Sequence, residues 1–123
     1  MTLVILESPY AGNIAVNTSY ARLCLRHSLL LGEAPLASHL LYTQPGVLDD
    51  NEQSERVLGI TAGLAWGKVA QKTAIYADLG ISRGMRIGEA IAAADGRPIE
   101  YRYLLGDKVF GRRVADLLKL LGE

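Results

Sequence analysis

Short apolar runs rich in β-branched residues alternate with longer stretches of helical periodicity along the 123-residue chain. Residues 2–6, TLVIL, carry no helical period and read as a buried strand. The loop ESPYAGN follows, punctuated by Pro9 and Gly12. Asn17 or Thr18 is placed to cap a helix that runs to about Leu31 and stops at Gly32. PLASH (35–39) reads as a short second strand, and YTQPGVLDDN as a loop turning at Pro45-Gly46. Asp50 or Asn51 is positioned to cap a long helix over residues 52–72, with Glu52 and Glu55 favourable in its first turns. TAIYADL (73–79) is the third strand. Ser82 caps the next helix, which runs to about Ala94 and is stopped by Asp95-Gly96. RPIEYRYL (97–104) is the fourth strand. The last helix, GRRVADLLKLL, sets Val114, Leu117, Leu118 and Leu121 on one face.

Strands alternating with helices require a mainly parallel sheet covered on both sides. The expected fold is therefore α/β: a flavodoxin-like or Rossmann-like three-layer sandwich with four or five strands, in the order 2-1-3-4. One domain spans residues 1–123, with no internal repeat, low-complexity segment or interdomain linker.

Composition narrows the function. Half the residues are hydrophobic, enough for a real core. Thirteen basic and thirteen acidic side chains cancel, which argues against nucleic acid as a partner. No apolar run reaches roughly 18 residues, and the first residues lack a basic leader, so the expectation is a cytoplasmic protein without a membrane partner. Cys24 is the single cysteine and reads as a small buried hydrophobe. His27 and His39 lack partners at ligand spacing, so neither a metal nor another cofactor is expected.

In such a sheet, ligands bind beyond the carboxyl ends of the strands, near the reversal of strand order. Three loops build that rim: residues 7–12, 38–50 and 78–84. They bring together Glu7, Ser8, Tyr10, Asn13, His39, Asp49, Asp50, Asp78, Ser82 and Arg83. Carboxylates accept from hydroxyls, and Tyr10 offers a ring face and an OH, a set suited to a sugar and an aromatic base. Structural alternatives stand beside these roles. Glu7 and Asp78 can cap loops, Asp49 and Asp50 can cap the following helix, and Arg83 and Arg86 can pair with Asp78 or Glu89 or hold an anion. Lys108, Arg112 and Arg113 read as a solvated face.

The segment LESPYAGN, followed by NTSYARLCLRHSLLLGEAPLASH, resembles the opening of nucleoside 2-deoxyribosyltransferase-like proteins. These begin with a strand, an Ala-Gly-Pro-type loop, a helix and a Gly-x-x-Pro step into the second strand. Pro9 matches the loop proline, while Glu7-Ser8 replace the usual small pair. YADLGISRGMRIGEAIAAADGRPI is similar to the later family segment: an acid, a Gly-rich turn, a helix start and a Gly-x-Pro lead into the next strand. The chain resembles small members of this superfamily, many carried by bacteriophages.

The resemblance implies a glutamate nucleophile attacking the anomeric carbon of a nucleoside, with an aspartate assisting the leaving base. The nucleophile belongs to a Gly-x-Glu-x-Gly-like pattern, which Gly84-Met85-Arg86-Ile87-Gly88 matches with Arg86 at the glutamate position. A guanidinium stays protonated and cannot attack carbon. The reading favoured is a protein that binds a nucleotide-like ligand through Ser8, Pro9, Tyr10, Asn13, His39, Asp78, Ser82, Arg83, Gly84, Met85 and Arg86 without turnover. In a phage this is a sponge for a host nucleotide immune signal, acting in the host cytoplasm. The alternative is an active N-glycosidase or deoxyribosyltransferase with its carboxylate relocated to Glu7, Asp78 or Glu89. Family members are typically homo-oligomers. Gly59, Gly63 and Gly67 add to that expectation, since a glycine stripe on a helix calls for close approach of the sheet or of a second subunit.

Overall fold

The computed structural model describes residues 1–122. The strands are β1 (Thr2–Glu7), β2 (Glu33–Leu36), β3 (Lys72–Tyr76) and β4 (Ile99–Arg102). The helices are α1 (Ile14–Leu30), α2 (Ser38–Leu41), α3 (Gln53–Gly67), α4 (Arg83–Ala94) and α5 (Gly111–Leu120). All strand pairs are parallel, in the order β2-β1-β3-β4. The expected α/β sandwich and strand order are both present, with four strands.

Alternation along β1 sends Val4 and Leu6 into the main core, while Leu3 stays exposed. The central strand β3 is covered on both faces, and Thr73, Ala74, Ile75 and Tyr76 are fully buried. The main core joins Val4, Leu6, Ala74 and Tyr76 to Tyr20, Leu23 and Cys24 of α1 and to Phe110 and Val114 near α5. Val16, Tyr20, Leu23 and Cys24 fall on one helical face, which is why α1 lies flat on the sheet. Burial pushes the Cys24 thiol well above its ordinary range, as befits a packed sulfur. Gly111 opens α5 where any side chain would collide with the Leu105 carbonyl.

Several boundaries differ from the sequence expectation. Asn13, rather than Asn17 or Thr18, caps α1, its Oδ1 accepting from the Val16 amide at 3.2 Å. Asn17 lies inside the helix and donates instead to the Tyr10 and Ala11 carbonyls. The second strand is Glu33–Leu36, not 35–39, because residues 38–41 close into the short α2. Neither Asp50 nor Asn51 caps α3, which starts at Gln53 and ends at Gly67. Asp49 shapes the preceding turn, accepting from the Asn51 amide. β3 and β4 end at Tyr76 and Arg102, earlier than the expected 79 and 104, where the rim loops begin. Ser82 does cap α4, and Gly32 and Gly96 follow their helices with positive φ.

One buried ionic cluster crosses the sheet. Arg102 donates to both Glu33 carboxylate oxygens, at 2.8 and 2.7 Å. Ser28 also donates to Glu33, Lys72 pairs with it at 2.8 Å, and Arg102 reaches the Tyr76 hydroxyl at 2.9 Å. Hydrogen bonding from Arg102 lowers the Glu33 carboxyl from its ordinary 4.5 to about 2. Removing Arg102 takes away the bidentate partner of Glu33 and leaves it only Lys72 and Ser28, at a cost of up to about 3–5 kcal/mol. Arg102→Met should therefore lower unfolding free energy at pH 7 by that amount in urea titrations, and Glu33→Leu/Arg102→Met should recover most of it. Because the folded carboxyl is depressed, this stabilisation is complete above the ordinary carboxyl range. It should disappear as pH falls from 4.5 through about 2.

Candidate functional site

A cleft of about 310 Å³ opens beyond the carboxyl ends of β1 and β3, where the strand order reverses. Pro9, Ala11, Asn13 and Asn17 line one side, and Leu79, Gly80, Ile81 and Ser82 the other, with Leu121 completing it. The caps of two helices meet there. Asn13 closes the first turn of α1, and Ser82 accepts from the Met85 amide to close that of α4. Positive dipole ends and free amides suit such a place to an anionic or polar ligand. Gly80, with φ of 92°, makes the turn that carries the chain from β3 to Ser82. A second hollow of about 360 Å³ lies at the opposite, amino end of the strands beside Arg97. There Arg97 is committed to the Gly67 carbonyl, the Thr73 hydroxyl and Asp95, so the cleft at the switch point is the better candidate.

The three candidate carboxylates have different environments. Asp78 accepts from the Tyr20 hydroxyl at 2.6 Å and from the Leu104 and Leu105 amides at 2.8–3.0 Å. It is a latch between β3, α1 and the chain leading to α5. Glu89 accepts from Tyr101 and from Arg86, and the Tyr101 hydrogen bond holds its carboxyl below the usual range. Arg86, mostly exposed, lies along this pair. Glu7 differs from both. Among the described residues no hydrogen bond supports its carboxylate, and desolvation raises it to about 7 against the attraction of Arg97. It packs so closely under α4 that a methyl on Gly88 would lie 2.6 Å from Oε2.

Ser8 and His39 form a third arrangement, with Ser8 Oγ 2.7 Å from His39 Nε2. Burial lowers His39 to about 4, so the imidazole is neutral at pH 7. The bond ties the β1 loop to α2.

The rim residues expected from sequence therefore fall into separate groups. Pro9, Asn13 and Ser82 line the cleft. Ser8, His39, Asp78 and Arg86 are hydrogen-bonded elsewhere, and Met85 is buried against the sheet. Tyr10, Arg83 and Gly84 flank the cleft without lining it. Ala11, Asn17, Leu79, Gly80, Ile81 and Leu121 were not marked by sequence. Only Gly80 carried a signal, as a turn glycine between strand and helix. The glycine stripe of α3 does not meet the sheet. Side chains added there would meet Leu48 at Gly59, Ser38 at Gly63 and Arg97 at Gly67.

The environments of the two acids predict opposite responses. Asp78→Ala leaves two amides and the Tyr20 hydroxyl without their acceptor, and should cost about 2–4 kcal/mol in urea unfolding at pH 7. Glu7 has a raised folded pKa, so its ionisation opposes folding from the ordinary 4.5 upward until pH passes about 7. Glu7→Gln should therefore stabilise the protein by on the order of 2–3 kcal/mol at pH 8 and by little at pH 4.5. Equal effects at the two pH values would contradict this account of Glu7.

No helix among the described residues is long and apolar enough to cross a membrane, and no group of three or more His, Cys, Asp or Glu there is arranged to hold a metal ion. No curated protein and no solved structure matches the chain. A family model described as Domain of unknown function (DUF7768) matches residues 2–102, which include all four strands. With most of its length matched, the chain belongs to that family.

Proposed function

We propose that the protein binds a nucleoside- or nucleotide-like ligand in the cleft between the caps of α1 and α4 and does not turn it over. The observation that carries this reading is the lining. The cleft stands at the switch point of a parallel sheet, presents Asn13, Asn17 and Ser82 beside apolar Pro9, Leu79, Ile81 and Leu121, and contains no carboxylate among its lining residues. Asp78 and Glu89, two of the three candidate acids, are spent on structural hydrogen bonds. A glycosyl transfer needs a free carboxylate at the anomeric carbon. The likeness of residues 76–99 to nucleoside 2-deoxyribosyltransferase-like proteins supports the ligand class. In a phage, such a protein would act as a sponge for a host nucleotide signal.

The second reading is an N-glycosidase or deoxyribosyltransferase working through Glu7. It is favoured by one observation: Glu7 is the candidate acid without a hydrogen-bond partner, and its raised pKa suits proton transfer near neutrality.

The reading includes a homo-oligomer. Val57, Ile60 and Leu64 are 55%, 51% and 41% exposed on α3, at the spacing of a helix-pairing seam. Such a stripe is covered economically by the same stripe of a second copy. Light scattering should give a mass above one 13.3 kDa chain at micromolar concentration, and Leu64→Glu should return it to one chain. A wild-type monomer would remove this part.

The binding test is thermal denaturation against a panel of nucleosides, mono- and dinucleotides. A ligand at 100 times its Kd should add about 2.7 kcal/mol. Ile81→Trp, which fills the cleft, should abolish that shift with little change in the unliganded melting temperature. Chromatography of material released on heating should return the ligand intact and stoichiometric. Free base accumulating over many turnovers, and lost in Glu7→Gln, selects the enzyme.

A further inference from the structure

The sheet ends in two edges that differ. The β2 edge carries Pro35, which has no N–H to offer an added strand. The β4 edge, Ile99–Arg102, contains no proline. Its backbone polarity follows from its pairing with β3. The Thr73 and Ala77 amides donate to the Pro98 and Arg102 carbonyls at 2.9 and 3.0 Å. Even-numbered residues therefore turn their backbone groups toward β3, and Ile99, Tyr101 and Tyr103 turn theirs away from the sheet. These outward N–H and C=O groups have no hydrogen-bond partner among the described residues. The side chains of Tyr101 and Tyr103 are exposed beside them. Such an edge is a template for another strand.

We propose that this edge pairs with the same edge of a second copy, antiparallel about a two-fold axis at Tyr101. Two identical edges related by a two-fold axis run antiparallel, and only the odd-numbered residues can exchange hydrogen bonds. Charge then selects the register. Pairing Ile99 with the partner's Tyr101 sets Glu100 directly against the partner's Glu100. Pairing Tyr101 with the partner's Tyr103 sets Arg102 against the partner's Arg102. Like charges directly opposite are destabilising. Centred on Tyr101, each Glu100 faces the other chain's Arg102, and Ile99 packs against the partner's Tyr103, a favourable β-branched–aromatic pair. This register also engages all three outward residues, giving about six backbone hydrogen bonds. The contact is short, below the roughly 1,200 Å² of a stable interface. It is therefore weak between single chains and strengthens when copies already joined present more than one edge. The pairing rests neither on the ligand reading nor on the α3 seam.

The test is disulfide trapping in the full-length protein at high micromolar concentration, with oxidised glutathione as the oxidant. Cys24 is buried and does not compete. Cα atoms of a hydrogen-bonded antiparallel pair lie about 5.5 Å apart, within reach of a disulfide. Tyr101→Cys should form a covalent dimer about tenfold faster than Lys119→Cys, an exposed control on α5. Ile99→Cys and Tyr103→Cys should each cross-link slowly alone and give mainly the mixed dimer when combined, which fixes the register. Adding Leu64→Glu should leave the excess of Tyr101→Cys over its control in place, so failure of the α3 seam and failure of this pairing are separately visible. Three results would overturn the proposal: equal rates for Tyr101→Cys and Lys119→Cys, no preference for the mixed dimer, or disulfides to other proteins of a cell lysate in place of a second copy. The last would assign the edge to a foreign strand.

Discussion

A single carboxylate holds the carboxyl edge of the sheet together. Asp78 receives the Tyr20 hydroxyl from α1 and the Leu104 and Leu105 amides from the chain that follows β4. Three segments distant in sequence converge on two oxygen atoms. Without that acceptor, the Leu104 and Leu105 amides would face a half-buried rim with no partner. The turn at Gly80 and the cap at Ser82 follow within four residues of it, so the cleft wall inherits its position from this latch. Hydrogen bonding here fixes geometry that hydrophobic burial, being non-directional, cannot fix.

The other acids divide the remaining work. Glu33 is buried and fully paired, with its carboxyl held near 2, and binds the sheet from β2 to β4. Glu89 settles the outer face of α4 against Tyr101. Glu7 alone has no hydrogen-bond partner for its carboxylate among the described residues, and its ionisation opposes folding. That contrast, more than any motif, separates Glu7 from Asp78.

The elements were legible where the signal is local. Strand signals placed β1, β3 and β4 and missed the bounds of β2, Ser82 before an amphipathic stretch marked the start of α4, and Gly32 and Gly96 marked helix ends. The extent of α3 was not legible, because its outer face is as apolar as its inner one and periodicity has nothing to grip. Nor was α2, since four residues are too few for a pattern. At the rim, sequence placed the right loops at the right edge but could not assign partners. Tyr20 and Asp78 are 58 residues apart, and Glu33 and Arg102 are 69. Whether an acid is spent on a neighbour or free depends on contacts of that range. Arg86 illustrates the limit: its position on α4 followed from the chain, while its engagement with Glu89 followed from the fold.

The central strand has a consequence for how the chain is made. β1 completes its pairing only with Lys72–Tyr76, which emerges after α1, β2, α2 and α3 have been synthesised. Until then one edge of β1 lacks its neighbour, and Val4 and Leu6 lack Ala74 and Tyr76. Non-local parallel pairing of this kind is slow and leaves apolar edges open to other chains. The nascent protein is thus most vulnerable to aggregation when roughly its first half has left the ribosome, and codon or temperature changes that prolong that interval should reduce soluble yield without altering the finished fold.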